Sequence, residues 1–209
     1  MPIDLSPYLA PADCAVLVFE CQENVIGAES SIPGLAAAVR DGGVLQNIAA
    51  LLEAARGAGA RVFYCTAESR PGDLGRARTP LLDRLQREPG ASQGPVDSSV
   101  VKEIAPEAGD IRMPRSHGMS AFFDSGLDPC LRDLGTRTVI PVGVSLNIGL
   151  LGTTVEAVNR GYRVIMPADC VAADPPEYGE QVLRYSIRNL AYLSTSTDIA
   201  ATWQRERSA

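Results

Sequence analysis

Two residue types that furnish many small-molecule active sites are nearly missing from this chain of 209 residues, which has one histidine, His117, and one lysine, Lys102. With a single histidine, a zinc cluster would have to be built almost wholly from thiolates or carboxylates. The five cysteines, Cys14, Cys21, Cys65, Cys130 and Cys170, contain no Cys-x-x-Cys pair. They are odd in number, dispersed and mostly set in apolar runs, a pattern that suits reduced, buried thiols rather than a disulfide framework. No metal or cofactor is expected. A basic surplus is also lacking: 19 Lys and Arg face 25 Asp and Glu, for a net charge of −6. Nucleic-acid binding needs a basic face, so that partner class is not expected. No apolar run approaches the ~20 residues of a membrane span, and the opening Met-Pro-Ile-Asp-Leu does not read as a signal peptide. The expectation is a cytoplasmic protein without a membrane partner.

What is present is ordinary for a globular chain, with 45% hydrophobic and 21% charged residues. The length suits one α/β domain spanning 1–209. Residues 14–20, CAVLVFE, read as a strand buried on both faces. A loop with Gly27, Pro33 and Gly34 follows, then a helix over 44–56 that places Val44, Ile48, Leu51, Leu52 and Ala55 on one stripe. Gly57 and Gly59 close that helix. A second strand is expected over 61–66, giving a strand-helix-strand crossover. The segment 67–109 is the least regular; 80–88 reads as a short helix within a lid or subunit contact.

A third strand is expected over 111–114, a helix over 127–134 and a fourth strand over 136–143. Pro141 removes a ladder donor there, so Val139 and Ile140 should be its last fully paired residues. A helix over 149–159 should bury Leu150, Val155 and Val158, with Gly161 as its cap. A fifth strand at 162–167, a helix over 177–192 and an edge strand at 193–199 complete the pattern. Alternation of this kind predicts a three-layer α/β/α sandwich on a mostly parallel, doubly wound sheet of about six strands. Ligands bind such sheets beyond the carboxyl ends of the strands. That rule singles out Glu20, 65–68, 115–117 and 145–149.

Three stretches, VLVFECQENVIG, SAFFDSGLDPCLRDLGTRTVIPVGVSLNIG and EAVNRGYRVIMPADCVA, resemble the isochorismatase-like hydrolase superfamily in their order and spacing. The family's amidases use an Asp, a Lys and a nucleophilic Cys. By this resemblance the Asp position falls on Glu20, the Lys position on Arg115 or Ser116, and the Cys position on Gly149. Each departs from the amidase pattern. Gly149 offers no thiolate to form a thioester. The isochorismatases proper resemble the chain in having Gly at the Cys position, and they cleave a vinyl ether with a carboxylate as general acid.

Glu20 is accordingly the leading candidate, as a strand-end carboxylate whose desolvation favours acid/base work. Its alternative role is a loop cap or an arginine partner. His117 would share a proton with Glu20 or orient a water, or else bond to loop backbone. Arg115 would pair with Glu20 or clamp a substrate carboxylate, or stand as a solvated charge. Gln22, matching the family's Asp-x-Gln, would offer its amide to a ligand or brace a loop. Ser116, Ser145, Asn147 and the backbone N–H groups of Ile148 and Gly149 make up the remaining substrate-binding set. In the family that turn forms an oxyanion hole and carries a cis peptide at the bond corresponding to Val144–Ser145. Asp169 and Tyr178 read as structural or interface residues. Three functions stay open: a small-molecule hydrolase or lyase acting through Glu20 without covalent catalysis, a vinyl-ether hydrolase, and a non-catalytic binding or structural homologue. The resemblance also implies a homo-oligomer, dimer or tetramer.

Overall fold

Apolar, β-branched runs pair as a sheet in the computed structural model, which describes residues 3–70, 74, 77–87 and 97–208. The strands are β1 (Cys14–Phe19), β2 (Arg61–Cys65), β3 (Ile111–Arg112), β4 (Thr138–Gly143), β5 (Arg163–Pro167) and β6 (Tyr192–Ser194). They form one six-stranded sheet in the order β3-β2-β1-β4-β5-β6, and each neighbouring pair is parallel. β1 and β4 are buried at every residue, as central parallel strands covered on both faces must be.

The helices are α1 (Glu23–Ile26), α2 (Pro33–Asp41), α3 (Val44–Ala58), α4 (Pro80–Arg87), α5 (Leu127–Asp133), α6 (Leu151–Asn159), α7 (Pro176–Tyr185) and α8 (Ser196–Ser208). The two-residue period of β1 divides the core between two layers. Cys14, Val16 and Val18 join the apolar residues of α2, α3 and α8. Ala15, Leu17 and Phe19 join those of α5, α6 and α7 on the other side. The result is the expected three-layer α/β/α arrangement.

Several local expectations are corrected. The segment around Pro33 is helical: Pro33 begins α2 at a position where its missing N–H is no loss, and Leu35 and Val39, one helical turn apart, are buried. Pro141 does not end the pairing of β4 with β1, which runs on to Gly143. The Val144 N–H donates to Phe19 O at 3.1 Å, so by alternation Pro141 faces β5, where pairing has already stopped at Val139. Its absent N–H therefore breaks no ladder bond.

In α6 the buried stripe is Thr153, Thr154 and Ala157, while Val155 and Val158 are exposed. A π-turn at Leu146–Leu150 precedes α6 and rotates its faces relative to a simple helix begun at 149. The helix expected over 177–192 ends at Tyr185, followed by a 3-10 turn at Ile187–Asn189. The edge strand expected at 193–199 is cut short, because the Thr195 hydroxyl accepts the Asp198 N–H and caps α8. That helix buries Ile199 and Trp203. The strand expected over 111–114 is paired only at Ile111 and Arg112. Glu88, the end of the short helix read at 80–88, lies outside the described residues.

Candidate functional site

The chain leaves β1 for β2 on one side of the sheet and later returns to β4 on the other, so the sheet's switch point lies between β1 and β4. Such a crevice at the carboxyl ends is where doubly wound folds take ligands. The strand ends there are drawn close together. Gly143 has φ 106°, and a Cβ on it would stand 2.3 Å from Phe19 O and 2.8 Å from Cys21 Sγ. Glycine is required at that position for both backbone shape and space.

Glu20 turns out of β1 with φ 50°, one of two non-glycine residues with positive φ among those described. A non-glycine side chain in this left-handed region is disfavoured and persists where surrounding contacts fix it. Those contacts are clear. The Glu20 N–H donates to Cys65 O at 3.1 Å, and the Arg115 Nη2 donates to Glu20 Oε1 in an ion pair. Burial raises the Glu20 carboxyl above its ordinary value, and the Arg115 charge offsets only part of that rise.

Arg115 is delivered to this point by the chain leaving β3. An isolated parallel bridge joins Arg115 to Ala67, and the Arg115 N–H donates to Thr66 O at 2.9 Å. The guanidinium is buried and lies over the Phe19 ring, 4.7 Å from its centroid. Its Nη1 reaches Thr66 O at 3.5 Å, and its Nε has no hydrogen-bond partner.

The same Phe19 ring decides what can stand at 149. A Cβ on Gly149 would lie 2.3 Å from Phe19 Cε1 and 2.9 Å from Cζ. Phe19 is fully buried, with Arg115 over its ring, so the ring can retreat only by displacing its packed neighbours. Gly149 is thus small because an aromatic ring fills the adjoining space. Nothing in the sequence marked Phe19, which sits inside an apolar strand. The only hint was its place immediately before Glu20.

Other expected site residues divide clearly. Gln22 is fully buried, with Nε2 donating to Ala67 O at 2.9 Å and Ser98 O at 2.7 Å. Its Oε1 accepts the Ala67 N–H at 2.8 Å. Both amide protons are committed to loop carbonyls, which is the bracing role. His117 is exposed, with its ring 5.7 Å from that of Phe123. Ser116 and Ser145 are half-buried.

The Val144–Ser145 peptide is cis. Ser145 O accepts the Ile148 N–H at 3.3 Å and the Leu150 N–H at 3.0 Å, so the Ile148 amide is turned into the π-turn. Asn147 Oδ1 is buried without a partner. Asp169 is structural, because its carboxylate accepts the Ser196 N–H at 2.8 Å and the Ser196 hydroxyl at 2.5 Å.

The thiols near the site are poorly placed for nucleophilic work. Burial pushes both Cys21 and Cys65 up to about 12, far from the thiolate range. Among the described residues, no group of three or more His, Cys, Asp or Glu side chains is placed to hold a metal ion. No helix of the described residues is long and apolar enough to cross a membrane.

An isochorismatase domain model matches residues 14–198. The chain belongs to the isochorismatase family. A ureidoacrylate amidohydrolase RutB from Rhizobium rhizogenes is 27% identical over 210 residues, spanning 93% of this chain and 85% of its own. Another from Methylorubrum extorquens is 29% identical over 200 residues, spanning 88% and 80%. Among solved structures, N-carbamoylsarcosine amidase from Thermoplasma acidophilum superposes with a TM-score of 0.69 at 25% identity, covering 88% of this chain and 96% of its own. A cysteine hydrolase from Pseudomonas syringae pv. phaseolicola reaches a TM-score of 0.76 at 23% identity, covering 98% and 96%. These likenesses agree with the fold described above.

Proposed function

We propose that this isochorismatase-family chain is a cytoplasmic small-molecule hydrolase that works without a covalent intermediate, using Glu20 as its acid/base group. The observation that carries this reading is the Phe19 ring beside Gly149, which leaves no room for a nucleophilic side chain on that turn. The raised Glu20 carboxyl supports it, because a group that gains and loses its proton closer to neutrality is a better proton carrier. The bond from Arg115 uses Oε1, so proton transfer falls to Oε2. Glu20 takes a proton from water as the water's oxygen adds to the substrate carbonyl. It then returns that proton to the leaving nitrogen, which departs as the amine while the carbon–nitrogen bond breaks. The relatives named for ureidoacrylate and N-carbamoylsarcosine point to carbamoyl or ureido amides as the substrate class. A homo-oligomer is part of this reading, and light scattering of the purified protein tests it.

A second reading, a binding homologue without catalysis, is favoured by the ion pair itself. A carboxylate already matched by a guanidinium has less reason to take a proton. Turnover of a panel of ureido and carbamoyl amides, with intact-protein mass spectrometry during turnover, separates the two. The hydrolase reading expects Glu20→Gln to lose about 10²- to 10⁴-fold in rate, with no acylated protein at any time. Full activity in Glu20→Gln, or an acyl group on a cysteine, overturns it. Binding that depends on Glu20 but comes without turnover establishes the second reading.

A further inference from the structure

The two residues of this site with the least obvious chemistry, Phe19 and Gly149, are geometrically dependent on each other and on Arg115. Phe19 presents its Cε1 edge to position 149, at a distance no Cβ can share. Its face carries the Arg115 guanidinium, and Arg115 in turn holds Glu20. A cation over an aromatic face gains from the ring's negative quadrupole, more so when both are withdrawn from water. Arg115 has few other anchors: Nη1 reaches only Thr66 O at 3.5 Å, and Nε has none.

We propose that Phe19 is a positioning residue of the site: its ring takes the volume a side chain at 149 would need and serves as the platform that sets Arg115 against Glu20. The glycine at 149 is the space this platform requires. A side chain there pushes the ring, the ring displaces the guanidinium, and the carboxylate loses its counter-charge. The proposal deepens the reading of Glu20 as the working carboxylate and rests on it.

The test titrates the Glu20 carboxyl by carbon-13 NMR in the full chain, its resonance assigned by its loss in Glu20→Gln. Arg115→Gln gives the direction of full counter-charge loss, an upward move of the midpoint. Phe19→Leu keeps apolar bulk but removes the aromatic face, and Gly149→Ala pushes the ring without removing any polar group from the chain. Both are expected to move the midpoint upward, by about half a pH unit or more. If both lower the melting temperature yet leave the Glu20 midpoint at its wild-type value, Phe19 is packing alone and the proposal falls.

Should Gly149→Ala fail to fold, Phe19→Leu/Gly149→Ala keeps the idea testable, since leucine has no Cε atom to meet the new Cβ. The double variant is expected to fold and melt above the Gly149→Ala single. No such recovery overturns the shared-volume claim. The titration needs no turnover, so it stands apart from the hydrolase assay. An inactive protein with a shifted midpoint retires the catalytic reading while keeping Phe19 in its place.

Discussion

Two arginines bind acids at opposite ends of β3, and they do so in different ways. At the amino end Arg56 bonds Glu107 at 2.6 Å and Asp110 at 2.7 Å, and donates to the Tyr64 hydroxyl at 3.1 Å. Asp110 has a second donor in the Glu107 N–H at 2.8 Å, and Glu107 is exposed. At the carboxyl end Arg115 has one acid, Glu20, with a distant carbonyl and an unpartnered Nε. Both Arg115 and Glu20 are withdrawn from water, at 2% and 19% side-chain exposure. The first pair closes its hydrogen bonds and braces a corner of the fold. The second leaves bonds unmade at the carboxyl edge, where doubly wound sheets generally take ligands, and an under-satisfied buried charge is costly to keep unless it serves a purpose.

Removing each cation gives the largest expected difference. Arg115→Gln leaves Glu20 without its counter-charge and should cost about 3–5 kcal/mol where that carboxyl is ionised. Arg56→Gln leaves Asp110 its backbone donor and should cost about 1.5–3 kcal/mol. The pH dependence sharpens the contrast. The Glu20 carboxyl is raised in the folded state, so its contribution to stability is fully present below the ordinary glutamate range and is lost as pH rises through the raised folded value. Arg115→Gln raises that value further. Its deficit should therefore be greatest above the raised folded values and should shrink as pH falls through them, because below them Glu20 is neutral in both folded proteins. Urea unfolding of wild type and both variants across that range checks the prediction. An Arg115→Gln deficit that does not change with pH contradicts the picture of a charge stranded by the mutation.

The same contrast explains how much of the site was legible in the sequence. Glu20 and Arg115 could be read from their places at strand ends, where the doubly wound rule directs attention, and the alternation of apolar runs and helices was enough for the sheet. Phe19 could not be read, because a ring inside an apolar run carries no mark of the cation above it or the glycine beside it. Gln22 stayed open between ligand contact and loop bracing because an amide has the same appearance whether it meets a substrate or, as here, the Ala67 and Ser98 carbonyls. The misread elements also have local causes. Pro33 and Gly34 signal a loop until Pro33 is seen to start α2. The β-branched run at 193–199 conceals the Thr195 cap of α8. In each case the deciding contact lies outside the window that sequence periodicity surveys.

The smallest expected effects come from two glycines three residues apart that should respond with opposite signs. At Gly149 a Cβ meets the Phe19 ring well inside contact distance, so alanine there should cost about 1–3 kcal/mol through overpacking. At Gly152, inside α6, the nearest atom to a new Cβ is the Ser120 Cβ at 4.0 Å, ordinary contact at most. Alanine at 152 should therefore stabilise by about 0.4–1 kcal/mol, because it reduces the freedom of the unfolded chain without straining the helix. Neither glycine requires a left-handed backbone, so the opposite signs isolate space as the cause. Thermal unfolding of the two alanine variants measures it directly. A destabilised Gly152→Ala beside an unaffected Gly149→Ala would mean that the ring is not where the chemistry of this site needs it, and that the turn is open to a side chain after all.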